Sequence, residues 1–152
     1  MSANYPKYNS YRNAHEQIDK AIEASFYLEA ITIEESILCD RLLRFYNDQR
    51  AGGDKKKDLM RITLGTEVAF LEKSAELRNN YSINFLNELS RFWESRNKCL
   101  HQIAKSEPGM PTENFEDLIN LAKETAVSGK ELVKMVSKWA MKYKKTVMTS
   151  SG

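Results

Sequence analysis

The chain has 152 residues, 41% hydrophobic content and a formal charge of +2, enough for one sizeable core but too short for two full domains of ordinary size. Its 6 Gly and 3 Pro are too few for many short strands and tight turns, which disfavours an all-β fold. The near-balanced charge excludes a global pull towards polyanions, so any nucleic-acid site must come from local clustering of Lys and Arg.

Between Tyr11 and Tyr46, apolar residues recur at Ile18, Ile22, Phe26, Ala30, Ile33 and Ile37, then at Leu38, Leu42 and Phe45. This spacing predicts one long helix, with room for a single break. Asp48 to Asp58, with Gly52-Gly53 and three consecutive lysines at Lys55 to Lys57, reads as a loop. A second helix is predicted from about Arg61 to Asn79, and Ser82 is the expected N-cap of a third carrying Phe85, Leu89, Phe92, Trp93, Leu100 and Ile103. Pro108-Gly109-Met110-Pro111 stops it, Thr112 offers the next cap, and a fourth helix with Leu118, Ala122, Val133 and Val136 follows, with a bend expected near Gly129. The tail beyond Thr146 is expected to fray. Four amphipathic helices hide their apolar stripes by packing on one another, so the expected fold is an all-α antiparallel bundle of four to five helices. It forms one domain over 1–152, with its core at about 11–146.

Cys39 and Cys99 are far apart, form no Cys-x-x-Cys pair and have no histidine cluster beside them, so they read as buried free thiols and no metal or cofactor is expected. The N-terminal residues lack the apolar core of a signal peptide, and no run of apolar residues is long enough to span a bilayer. A cytoplasmic protein without a membrane partner is the expectation.

The chemically sharpest segment is Arg96-Asn97-Lys98-Cys99-Leu100-His101, in the last third of the third predicted helix. Metal-free RNA cleavage needs a group that moves a proton near neutral pH and a cation that steadies the crowded phosphorane. Histidine and arginine are the side chains suited to those tasks. Arg96-Asn97-x-x-x-His101 resembles the Arg-x4-6-His signature of HEPN domains, which are helical bundles that carry the motif on a late helix. Many are metal-independent endoribonucleases whose cleft forms where two protomers face each other. The resemblance implies a homodimer with a composite site, an RNA substrate, Arg96 and His101 as catalytic residues and Asn97 as a supporting one. It also implies a setting in toxin-antitoxin, phage-defence or stress systems, with an antitoxin or regulatory protein as a further partner. One subgroup places a Tyr two residues after the His, where this chain has Ile103, so nucleotide transfer onto such a Tyr is not expected.

HEPN enzymes often add an acidic or polar residue from the first long helix to hold the Arg. Glu35, on a face with Leu28, Ile31, Leu38 and Leu42, is the residue chosen here, with Glu29 as its rival. A solvated helix edge also accommodates either carboxylate. On the fourth helix Lys134, Lys138, Lys142 and Lys145 make a basic stripe beside Trp139 and Tyr143 that suits an RNA backbone, although such a row also marks a plain solvated face. The non-catalytic reading makes His101 a helix C-terminal cation and Arg96 half of a surface ion pair, in a HEPN-like module that binds a protein partner or a nucleotide.

Overall fold

The computed structural model describes residues 5–50, 62–104 and 115–150. All of its regular elements are helices: α1 (Tyr5–Glu23), α2 (Tyr27–Gln49), α3 (Leu64–Glu72), α4 (Ala75–Asn80), α5 (Leu86–Ala104) and α6 (Phe115–Ser150). Among the described residues, no helix is long and apolar enough to cross a membrane.

The long first helix is broken once, at Ala24–Phe26. Ser25 adopts φ 63°, its N–H donates to the Ile22 carbonyl at 3.0 Å, and the Phe26 N–H donates to the Ala21 carbonyl at 2.7 Å. That pair of bonds closes α1 in a Schellman arrangement, with serine at the left-handed position usually taken by glycine. The chain then turns back as α2. The second predicted helix is also two, because the Ser74 hydroxyl accepts from the Leu77 N–H at 3.2 Å and starts α4 afresh. Arg78 ties the pieces together by donating to the Leu71 and Glu72 carbonyls that end α3, at 2.6 and 3.2 Å.

Ser82 is not the cap of α5. It sits at φ 54° in the turn after α4, and the helix begins at Leu86, after the buried Ile83 and Phe85 have entered the core. At the other end of the chain, α6 runs unbroken through Gly129 and remains helical to Ser150. The expected loop over Asp48 to Asp58 lies mostly, and the Pro108 to Pro111 stop and the Thr112 cap wholly, outside the described residues.

Pairs of residues set the helix directions. His15 faces Lys134 while Asp19, further along α1, pairs with Lys130, so α1 runs antiparallel to α6; Glu35 meets Arg96 while Phe45, further along α2, meets Tyr81 just before α5, so α2 runs antiparallel to α5. In contrast, Arg41 meets Ser137 and Asp48 meets Tyr143, so α2 and α6 run parallel. They form the contacting diagonal of an up-down-up-down bundle. Ile18, Leu38, Leu42, Phe85, Leu89, Val133 and Val136 fill the centre. At one end Phe45 meets Tyr81, Trp139 and Tyr143 edge to face, with centroids 5.1–5.3 Å apart. Trp139 donates to the Tyr81 carbonyl at 2.8 Å and Tyr143 to the Asp48 carboxylate at 2.6 Å. Both rings beside the lysine stripe are therefore committed to the core instead of forming an exposed stacking platform.

Candidate functional site around Arg96

On α5, Arg96 follows the buried Phe92 by one turn and precedes the buried Cys99 by three residues, which puts its side chain at the edge of the core. A half-buried guanidinium is costly without a partner, and α2 supplies one. Arg96 Nε and Nη2 both face the Glu35 carboxylate, the second contact at 3.4 Å, and Nη1 donates to Asn97 Oδ1 at 2.9 Å. The Arg96 and Glu35 side chains are 26% and 24% exposed, so the pair is screened by solvent only in part. The guanidinium carbon also lies 4.9 Å from the centre of the Trp93 ring.

Trp93 is held in turn by α3. A Cβ at Gly65 would fall 2.6 Å from Trp93 Cζ2, so only glycine lets the indole lie this close to the α3 backbone. Arg96 is thus oriented by a carboxylate from α2, an amide from the next residue and an indole seated on α3. Glu29, the rival acid, is exposed at the start of α2.

His101 stands elsewhere. It is exposed, and five residues along an α-helix correspond to about 140° of rotation, so it points away from the face of α5 that Arg96 uses. Among the described residues no hydrogen bond or ion pair reaches its imidazole. The grooves among the described residues include one of about 470 Å³ between α5 and α6 and one of about 580 Å³ beside Phe26, Cys99 and Phe115. Neither Arg96 nor His101 lines these two.

Lys134, Lys138 and Lys142 are exposed along α6, and Lys134 is 3.6 Å from Glu131. No group of three or more His, Cys, Asp or Glu among the described residues is arranged to hold a metal ion.

Two buried carboxyl groups escaped the sequence reading. Glu34 is 0% exposed and Glu67 is 1% exposed, and none of their four oxygens has a hydrogen-bond partner among the described residues. Burial pushes the Glu34 carboxyl up to about 9, against a smaller opposing pull from Lys130. It fits because position 129 is glycine: a Cβ there would lie 2.2 Å from Glu34 Oε1 and 2.8 Å from Phe92 Cε2. Glu67 is likewise pushed up, chiefly by burial, and lies beside Cys39, whose thiol is raised by its own burial and by the Glu67 charge. Cys39 Sγ donates to the Ile62 carbonyl at 3.5 Å. A signal for both was present, since Glu34 stands one turn from Ala30 and from Leu38, and Glu67 between Leu64 and Leu71, in the middle of apolar stripes.

No family model, curated protein or solved structure matches this chain.

Proposed function

We propose that this protein is a metal-independent endoribonuclease of HEPN type, acting as a homodimer whose two α5 helices meet across the substrate. The observation that carries the reading is the three-sided support of Arg96 by Glu35, Asn97 and Trp93. An arginine fixed in this way presents its charge at a set position, as phosphorane stabilisation requires, without reorganising during the reaction. The separation of Arg96 and His101 within one chain suits a composite cleft, in which residues from two protomers complete one site. In the proposed reaction the RNA 2'-oxygen attacks the adjacent phosphorus as its proton is removed. The P–O2' bond forms, the P–O5' bond breaks, and the departing O5' takes up a proton. The products are a 2',3'-cyclic phosphate and a 5'-hydroxyl. His101 moves a proton and Arg96 offsets the phosphorane charge. Lys134, Lys138 and Lys142 lie on α6, apart from this centre, and would hold the flanking strand. An antitoxin or other regulatory protein would restrain such an activity in the cell.

A second reading draws on the same geometry. Glu35 neutralises Arg96, and His101 faces another direction, as suits a non-catalytic helical module that binds a protein or a nucleotide. Incubating a mixed RNA pool in EDTA with wild type, Arg96→Ala and His101→Ala separates the two. The ribonuclease reading expects cleavage by wild type alone. Equal inactivity of three folded, inhibitor-free proteins favours the binding module.

A further inference from the structure

Three helices meet on the side of the bundle where α1, α2 and α6 come together, and each contributes a basic group there. Arg41 of α2 is half-buried; its Nε donates to the Ser137 hydroxyl of α6 at 3.1 Å, and its guanidinium carbon lies 3.9 Å from the centre of the Tyr11 ring of α1. Among the described residues no carboxylate forms an ion pair with it, which is unusual for a half-buried arginine. Asp40, the adjacent acid, instead accepts a hydrogen bond from the Tyr11 hydroxyl.

His15, one turn after Tyr11, is also half-buried. Its imidazole is driven towards the neutral form first by burial and then by Arg41, Lys134 and Lys130, with Asp19 alone pulling the other way. The remaining acids around this corner have cations of their own. Asp19 pairs with Lys130 at 2.5 Å, Glu16 with Arg12 at 3.6 Å, and Glu131 lies 3.6 Å from Lys134. Lys134 keeps 56% of its side chain exposed, so its pair with Glu131 is a solvent-screened surface contact that a stronger anion can displace. What remains is a positive corner with one guanidinium that no carboxylate among the described residues pairs, one imidazole whose charged form is disfavoured and one exposed ammonium.

We propose that His15, Arg41 and Lys134 form a binding site for a phosphate group. Arg41 supplies the planar donor edge not engaged by Ser137, Lys134 supplies a point charge, and the Ser137 hydroxyl, which accepts from Arg41, is free to donate its own proton. An arriving phosphate reverses the local field, so His15 takes up a proton and becomes a further donor. The site lies on another side of α2 from Glu35 and Arg96, since positions 35 and 41 are separated by about 120° around a helix. It does not rest on the ribonuclease reading.

The phosphate belongs either to a small ligand or to a nucleic-acid backbone, and one titration distinguishes them. The chain has two histidines, so in a His101→Ala variant the single imidazole signal in a proton NMR spectrum belongs to His15. Its pH titration is recorded alone, with inorganic phosphate, and with a single-stranded DNA oligonucleotide. The expected result is a rise in the His15 midpoint of about one unit with a bound phosphate group. Lys134→Gln and Arg41→Gln are each expected to weaken binding about tenfold, the size of one charge-assisted hydrogen bond. A response to inorganic phosphate assigns the site to small phosphate-bearing ligands. A response to the oligonucleotide alone assigns it to a phosphodiester backbone. No midpoint change with either, or a change that survives in the exposed-residue variant Lys134→Gln and in a folded Arg41→Gln, overturns the proposal.

Discussion

Replacing Glu34 tests how the core is built. In the unfolded chain this carboxyl titrates near 4.5, whereas in the fold it is held at about 9. The folded state therefore keeps a proton that the unfolded state gives up. The resulting stability is complete below about pH 4.5 and is lost as pH rises towards 9, at about 1.4 kcal/mol per unit. By pH 7 the loss is about 3 kcal/mol, and it would be the same for any folded value well above 7. Glu67, raised in the same direction, adds to the slope. His15, lowered below 6.5, acts oppositely but only below that value, so the clean window is the alkaline side of neutral. Denaturant melts across that window should show wild type losing stability as pH rises. Glu34→Met, which keeps the volume and removes the acid, should lose much of the slope and gain about 3 kcal/mol at pH 7, roughly a 10 °C rise in Tm for a chain of this size. Glu34→Gln should lose the slope but gain less, because its amide is still buried without a partner. A wild-type stability flat across the window, or a Glu34→Met protein weaker than wild type throughout, would refute the reasoning.

Gly129→Ala should destabilise by about 1–3 kcal/mol through overpacking against Glu34 and Phe92, and an added Glu34→Ala should recover part of it in a double-mutant cycle read by urea melts. Gly65→Ala should displace Trp93 and change near-ultraviolet circular dichroism, and it should lower RNA cleavage by loosening the ring behind Arg96. Glu35→Gln should cut cleavage about tenfold or more at unchanged fold, since it weakens the grip that orients the guanidinium. Cys99 is 0% exposed and Cys39 is raised by burial and by Glu67, so neither should react with a chromogenic disulfide reagent at mild alkaline pH until the protein is unfolded.

The bundle was legible because its stripes are long: Ile18, Leu38, Leu42, Leu89 and Val133 were all placed by helical spacing and all are buried. The breaks were less so. The turn at Ser25 uses a left-handed serine where the usual marker is glycine, and the Ser74 cap lies inside a segment whose apolar spacing carries straight on. The choice of Glu35 over Glu29 came from the apolar neighbours of position 35, and the structure joins that carboxylate to Arg96. Gly129 read as a bend because a glycine in a helix weakens it locally. Its use here is to make room for a side chain from α2, a requirement set by a residue 95 positions away in sequence that periodicity along α6 does not contain. Trp139 and Tyr143 looked like neighbours of the lysines, but their bonds to Tyr81 and Asp48 draw them inwards.

The most direct test of the ribonuclease account is the chemistry of the RNA ends left by the purified protein in EDTA. The account predicts 2',3'-cyclic phosphate and 5'-hydroxyl ends from wild type, and neither from folded His101→Ala. Intact RNA with folded wild-type dimer, or the same ends in equal yield from His101→Ala, would contradict it.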